Sequence, residues 1–253
     1  MTKIDPERAK AFATALVESG AALQIANAVA GFSKFVTENA HLFVGLERIA
    51  EDIRTWPDWQ RELWSKAALN GWYVNWHTPI TINRPISEAK ETLDAFMLHH
   101  LNQDWETIKL SILSAVPARQ SILQCAFDLH MEKRYIASIP LLLAQADGVC
   151  EEYLGAHLFT DREGREARLA ELQASKGGFA AVLLQPLGLQ TQLGAGIKKD
   201  SSSDKELVPN RNGILHGSRK HLDYGTELNS LKAFSLVAFV VYALTSNHDG
   251  SDA

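Results

Sequence analysis

Apolar residues recur along this chain at the three- and four-residue spacing of helices, and no segment of useful length alternates strictly as a strand does. Residues 5–7 are Asp-Pro-Glu, a good helix start with a capping side chain, a proline at the first helical position and an acid in the first turn. Further helical segments are expected over residues 41–54, 59–68, 87–100, 105–113, 117–130, 135–154, 162–174 and 177–186. The pattern predicts an all-α protein.

Glycine, proline and serine mark the breaks between these helices. Gly71 is expected to end one helix, residues 78–85 to form a loop around two prolines, and Ser87 to cap the helix that follows. Residues 188–209 form the longest expected loop, because they combine glycines with a run of serines and charges. This loop leads directly into Arg211.

The last helix is apolar around most of its circumference, which predicts a place in the core or in a dimer interface. Thr226 is expected to cap it. Its longest apolar run, residues 233–244, is too short to span a bilayer, and the chain opens without a signal-peptide pattern. We therefore expect a cytoplasmic protein that makes no membrane contact. We predict two parts, an N-terminal helical region over residues 1–85 and a helical domain over residues 86–248.

A cluster of polar side chains begins at Arg211, where a cation, an amide and an imidazole lie within about one and a half helical turns. Asn212 and His216 are four residues apart and therefore share a helix face, whereas Arg211 must reach back from the first turn to join them. Gly213 and Gly217 add almost no bulk to that face, so that a substrate or a second backbone could come close. The spacing indicates a functional site.

The Arg-x4-His spacing of Arg211 and His216, with a polar residue directly after the arginine, resembles the signature of the HEPN superfamily. The resemblance continues in residues 224–226 (Tyr-Gly-Thr), in residues 229–233 (Asn-Ser-Leu-Lys-Ala) and, upstream, in residues 139–148. It covers roughly the second half of the chain. It implies a helical bundle of HEPN type, here with an additional N-terminal helical region, that dimerises and often acts as a metal-independent ribonuclease.

HEPN domains are frequent in toxin–antitoxin, abortive-infection and RNA-processing systems. The resemblance therefore implies an endoribonuclease, a toxin or phage-defence effector, that acts on RNA as a homodimer and has an antitoxin or another defence protein as a partner. Two alternatives stay open: a catalytically silent RNA-binding scaffold of the same fold, and a protein-interaction module whose first 85 residues dock a partner. The intact Arg211/His216 pair favours the enzyme, because a scaffold has no need of both groups.

RNA carries its own nucleophile, the 2′-OH, so that cleavage to a 2′,3′-cyclic phosphate needs a base, an acid and positive charge on the phosphorane. His216 suits the role of base or acid because an imidazole titrates near neutral pH. Arg211 suits the third role because its fork of donors matches phosphate oxygens. Asn212 is expected to orient His216 or to hold a phosphate oxygen. A symmetric dimer would supply the second histidine. Because the chain has no HExxH or comparable ligand spacing, we expect no metal and no other cofactor.

The formal net charge of −5 limits nucleic-acid binding to a local surface. Between residues 197 and 222, six Lys or Arg side chains accompany three acids, a local excess of positive charge that suits a phosphate ligand. The residues expected to contact RNA are Lys198, Lys199, Lys205, Arg219 and Lys220. A solvated loop of mixed charge explains the same composition.

Three residues outside the motif are candidates for supporting it. Asp147 and Glu151, four apart on the helix expected to face the motif, either orient Arg211 or His216 or simply face solvent. Tyr224 either stacks on a base or packs against the protein. Arg211 and His216 have a structural alternative of their own, as an arginine paired with a carboxylate and a satisfied interior histidine.

Five of the six tryptophans lie between residues 56 and 76, where basic residues are interleaved with them. They either offer stacking platforms to bases or, as is more common at helical spacing, form a core. Cys125 and Cys150 are expected to be small core side chains, because both lie among apolar residues.

Overall fold

The structure, a computed structural model, describes residues 46–75, 77–176, 178–196 and 208–245. Its α-helices, in chain order, are α1 Leu46–Leu69, α2 Asn83–Ser87, α3 Lys90–Gln103, α4 Trp105–Ala115, α5 Gln120–Met131, α6 Tyr135–Leu154, α7 Arg162–Lys176, α8 Gly178–Gly188, α9 Arg211–Leu215 and α10 Glu227–Thr245. Turns of 3₁₀ helix occur at Ile80–Ile82, Pro117–Arg119, Gln192–Gly194 and Arg219–His221. These residues include no β-strand, so the prediction of an all-α protein is confirmed for the part of the chain that the structure describes. The helix start predicted at residues 5–7 lies outside it.

The chain divides into two compact units. Among the described residues, the first contains 46–62 and 170–184, and the second contains 63–169 and 185–245. Trp72, in the stretch predicted to belong with the N-terminal region, is part of the second unit, where its Nε1 donates a hydrogen bond to Asp94 of α3 at 2.7 Å. The motif at Arg211 also lies in the second unit.

The helix boundaries follow the apolar pattern closely in the middle of the chain. α6 has the bounds that its continuous apolar pattern predicts, with Pro140 inside the helix. α1 unites two segments that were predicted as separate helices, although Pro57 lies within it and removes one backbone hydrogen bond. Gly71 follows the end of α1 with a φ of 82°, the left-handed conformation that favours glycine.

The loop predicted over residues 78–85 is wrong, since a 3₁₀ turn and α2 occupy most of it. Pro85 is the third residue of α2, where its missing N–H would have had no partner within the helix in any case. The predicted cap at Ser87 is also wrong. Ser87 ends α2 and its hydroxyl donates to the carbonyl of Asn83 at 2.9 Å, while the cap of α3 is Ala89, which makes no side-chain cap bond.

α10 forms the centre of the second unit. It packs mainly along α6 and also contacts α3 and α4, and every residue from Ser230 to Leu244 is buried. Thr226 caps it as predicted, because its Oγ1 accepts a hydrogen bond from the backbone N of Asn229 at 3.2 Å. By length and composition α10 could cross a membrane, but 83% of its most apolar window is buried inside the protein.

An aromatic cluster joins α10 to α4 and α5. The Trp105 ring stacks on Phe234 and on His130 with centroid distances of 4.2 and 4.5 Å, and Phe127 meets Phe234 edge-on. Burial lowers the pKa of His130 to about 4, and its Nδ1 lies 2.8 Å from the hydroxyl of Ser230. His130 is therefore a neutral core histidine at neutral pH.

Lys232 is fully buried within α10. Its Nζ lies 3.5 Å from Oδ1 of Asp94 and 5.2 Å from the centroid of the Trp72 ring. Lys90 lies 3.5 Å from the other oxygen of the same carboxylate. Burial lowers the pKa of Lys232 to about 8, and the nearby Asp94 opposes that shift. A buried cation is thus matched by a carboxylate and a ring.

The predictions for the tryptophans and the cysteines are confirmed for some of these residues and not for others. Trp72 and Trp105 are buried, which supports the core interpretation for these two, while Trp59 is 47% exposed. Cys150 is buried as predicted, and burial raises the pKa of its thiol to about 12. The prediction for Cys125 is wrong, because this residue lies on the exposed side of α5.

Candidate functional site

Asn210 fixes the start of α9. Its Oδ1 accepts a hydrogen bond from the backbone N of Gly213 at 2.6 Å, and its Nδ2 donates to the carbonyls of Gln192 and Ala195, each at 3.0 Å. Only 3% of Asn210 is exposed. This cap ties the short helix to the turn at Gln192. Asparagine is among the preferred residues before a helix, a signal that the Arg-x4-His spacing alone does not capture.

Arg211 lies at the N-terminal end of α9, 18% exposed, between a carboxylate and a ring. Its Nη1 donates to Oδ1 of Asn212 at 3.0 Å, and its Cζ lies 5.6 Å from the centroid of the Phe159 ring. Its Nη2 lies 3.7 Å from Oδ2 of Asp147, which is beyond hydrogen-bond distance. Its Nε is buried and has no hydrogen-bond partner among the described residues. The guanidinium is therefore positioned by Asn212, Asp147 and Phe159, while its Nε makes no hydrogen bond within the part of the chain that the structure describes.

Asp147 holds the loop after α6 beside Arg211. Its Oδ1 accepts hydrogen bonds from the backbone N of Leu158 at 2.8 Å and of Phe159 at 3.3 Å. Its Oδ2 lies between Arg211 and Nδ1 of His157, which is 3.8 Å away. Because only 13% of its side chain is exposed, Asp147 is not the solvent-facing acid that the alternative described. It positions Arg211 directly and, through Phe159, from a second side.

Glu151, the other acid predicted to support the motif, is exposed one turn further along α6. No side-chain contact joins it to α9 within the part of the chain described here, so a supporting role for Glu151 stays a prediction.

The amide of Asn212 is fully engaged within the protein. Its Oδ1 accepts from Arg211, and its Nδ2 donates towards the carbonyls of Gly194 and Ala195 at 3.3 and 3.2 Å. Asn212 therefore organises Arg211 and the turn before the motif. The two predicted roles, the orientation of His216 and the holding of a phosphate oxygen, stay predictions, and each would be made beside these contacts or in exchange for one of them.

His216 lies exposed at the C-terminal end of α9. Its backbone N donates to the carbonyl of Asn212 at 3.1 Å, while its imidazole makes no hydrogen bond to the described residues. The next residue, Gly217, has a φ of 63° and open space where a Cβ would stand. His216 is thus not the interior histidine of the structural alternative. Since a helix rises 1.5 Å per residue, the Cα atoms of Arg211 and His216 lie about 7–8 Å apart along the axis.

Gly213 does not leave room for a substrate, contrary to expectation. A Cβ at this position would lie 2.0 Å from Cδ2 of His221, so the chain's own buried histidine fills the space beside it. The glycine is needed for internal packing of α9 against the turn Arg219–His221. Of the two glycines singled out in the motif, Gly217 alone borders open space.

The structure describes two of the five basic residues that were predicted to contact RNA. Lys198, Lys199 and Lys205 lie outside the described residues. Arg219 and Lys220 are exposed on the 3₁₀ turn after the motif, so their side chains are free to meet a ligand in solution.

Tyr224 serves packing. Its hydroxyl donates to the carbonyl of Ile136 at 2.9 Å, and burial raises the pKa of that hydroxyl. A Cβ on Gly225 would lie 2.3 Å from Cγ1 of Ile136, which explains why a glycine follows the tyrosine. The pair anchors the approach to α10 on the first turn of α6, which supports the packing interpretation, and stacking of the half-buried ring on a base stays a prediction.

Comparison of the chain with protein-family models, with curated proteins and with solved structures found no match. Within the described ranges, no three His, Cys, Asp or Glu side chains are grouped as a metal site would require.

Proposed function

We propose that this protein is a metal-independent endoribonuclease of HEPN type that cleaves RNA by attack of the 2′-OH. One observation carries the proposal: Arg211 is held in position by Asn212, Asp147 and Phe159, its Nε makes no hydrogen bond to the described residues, and the exposed His216 lies at the other end of the same short helix. A guanidinium can grip a phosphate through two parallel hydrogen bonds, and the Arg211 side chain is 18% exposed.

In the proposed reaction, Arg211 binds the scissile phosphate and stabilises the negative charge that develops on the phosphorane. Asp147 and Phe159 hold the guanidinium, so little reorganisation is needed when the phosphate arrives. His216 takes the proton from the 2′-OH or gives one to the departing 5′-oxygen. Positions about 7–8 Å apart along the helix suit two groups that reach the same phosphodiester from different sides.

A single histidine does not easily serve as acid and base in one attack, so the proposed active form is a symmetric homodimer that brings two His216 side chains to one cleft. Leu215 and Leu222, on either side of His216 in the sequence, are 43% and 67% exposed and would be covered by a second copy. Sedimentation at micromolar concentration tests the dimer. A monomer that cleaves RNA at full rate would rule out a composite site.

A catalytically silent RNA binder or scaffold is the second candidate, and one observation favours it. Arg211 already contacts Asn212, Asp147 and Phe159, an arrangement that would also serve merely to fasten α9 to α6. As a phage-defence or toxin effector, the enzyme would injure a cell that contains it, whereas a scaffold would not.

Incubation of the purified protein with transfer RNA in EDTA separates the two candidates. We expect cleavage that leaves 2′,3′-cyclic phosphate ends, and loss of at least about a hundredfold in rate for His216→Ala. His99→Ala is the matched control, because His99 is exposed on α3, away from the motif. Strict Mg²⁺ dependence, 5′-phosphate products or full activity of His216→Ala would each contradict the mechanism, and binding of RNA without cleavage would favour the scaffold.

A further inference from the structure

A cavity of about 290 Å³ adjoins the motif. Phe159, Gly194 and Ala195 line it, and the same three residues contact Arg211 or Asn212. One wall of the cavity is therefore also the support of the proposed phosphate-binding group.

Two arginines line this cavity, and both have oxygen partners in the protein. Arg165 is 5% exposed, and it donates from Nε to the carbonyl of Leu187 at 2.8 Å and from Nη1 to the carbonyls of His157 and Leu158. Arg162 donates to Glu166 at 2.7 Å. Arg165 is thus occupied by backbone carbonyls, and Arg162 is an exposed side chain paired with Glu166, so the buried lining of the cavity is mainly apolar and neutral and suits a neutral ligand group.

Apart from the two arginines, the walls combine aromatic and apolar surface with neutral hydrogen-bonding groups. Tyr73, Phe159 and Leu236 supply apolar surface, and Gln190 and Thr191 supply polar atoms. Tyr73 is hydrogen-bonded to Thr191, and burial raises the pKa of its hydroxyl to about 12, so this wall carries no charge at neutral pH. Flat apolar surface with amide groups at the edge is the combination that proteins use to bind unstacked RNA bases.

The volume limits the size of the ligand. Pockets for drug-sized molecules span about 300–1,000 Å³, and this cavity lies just below that range. It accommodates one planar base but not a stacked pair.

We propose that this cavity binds a single unstacked base of the RNA, next to the phosphate that Arg211 holds. The proposal rests on the proposed function for the position of that phosphate, but binding of the base does not require cleavage. Base and phosphate would be held on two sides of Phe159, so that the cavity selects which phosphodiester reaches His216.

Calorimetric titration of the full chain with the four nucleoside 3′-monophosphates tests the proposal, with ribose 5-phosphate and inorganic phosphate as comparators. We expect at least one nucleotide to bind about tenfold or more tightly than ribose 5-phosphate, since stacking of one base is worth that much. Gln190→Ala should weaken it about fivefold by removing an edge contact. Gln103→Ala, the same change at an exposed position of α3, should have no effect.

Gly196→Leu provides a second variant. Gly196 lines the cavity, and no atom of the described residues lies within 4 Å of its Cβ position, so the substitution should leave the described fold intact while it fills the space and abolishes nucleotide binding. Equal binding of ribose 5-phosphate, no binding at millimolar concentration, or binding unchanged in Gly196→Leu would each overturn the proposal. RNA cleavage without nucleotide binding would contradict the proposed base-binding cavity but not the proposed ribonuclease. Nucleotide binding without cleavage would contradict the ribonuclease but not the base-binding cavity.

Discussion

The second unit contains two sets of the same three groups, a cation, a carboxylate and an aromatic ring. In the core, Lys232 lies 3.5 Å from Asp94 and 5.2 Å from the Trp72 ring. At the motif, Arg211 lies 3.7 Å from Asp147, and the ring is that of Phe159, 5.6 Å away. The distances are nearly equal, yet Lys232 is fully buried and Arg211 is 18% exposed.

This difference in exposure assigns the two sets to different tasks. Lys232 lies in the second turn of α10, and Asp94, which pairs with it, also accepts from Trp72 and pairs with Lys90, so the buried ammonium is covered by its partners. Arg211 lies at the N-terminal end of a five-residue helix, its Nε makes no hydrogen bond to the described residues, and the exposed His216 lies at the other end. A cation held by a carboxylate and a ring is therefore a candidate functional group only where a ligand can reach it.

The largest expected effect on stability is at Asp94. Asp94→Ala removes the carboxylate beside a buried charge, and we expect the free energy of unfolding in urea to fall by about 3–5 kcal/mol. Asp147→Ala, the corresponding change at the motif, should cost only about 1–3 kcal/mol, because it loses two backbone hydrogen bonds while Arg211 can recruit water. Equal losses of unfolding free energy in the two variants would contradict the distinction between the buried Lys232 set and the partly exposed Arg211 set.

The pH dependence of stability should provide a second test of the buried Lys232 set. The pKa of Lys232 is about 8 in the folded protein, below its ordinary value of 10.5, so between these values the unfolded chain binds more protons. The burial cost is fully present below pH 8 and is relieved as the pH rises towards 10.5. The free energy of unfolding of the wild type, minus that of Lys232→Met, should therefore rise across this window by roughly 3 kcal/mol. A flat difference would show that Lys232 titrates normally.

The sequence reveals elements whose signals are local. α6 was predicted with its observed bounds because its strongly apolar helical pattern can be recognised without knowledge of the tertiary structure. Residues 78–85 were missed because a proline normally signals a break, although Pro85 in the first turn of α2 removes no helical hydrogen bond. Whether a cysteine such as Cys125 faces the core also depends on which side of its helix is covered.

The motif shows the same limit. The chemical types at Arg211 and His216 are visible in the sequence, and the helical spacing of acids on α6 singled out Asp147. The sequence does not identify the groups that hold Arg211 and Asn212. Phe159 and the carbonyls of Gly194 and Ala195 come from separate stretches of chain that only the fold brings together. Gly213 was misread for the same reason, since its neighbour His221 arrives through the next turn.

The most direct test of the two assignments measures RNA cleavage in EDTA and unfolding in urea on the same preparations of wild type, Arg211→Ala and Lys232→Met. The account predicts that Arg211→Ala loses about a hundredfold or more in cleavage rate, as expected for removal of a charge-stabilising donor, with little change in unfolding. It predicts that Lys232→Met changes the unfolding free energy and cleaves RNA like the wild type. Wild-type cleavage by Arg211→Ala, or loss of cleavage in a folded Lys232→Met protein, would contradict it.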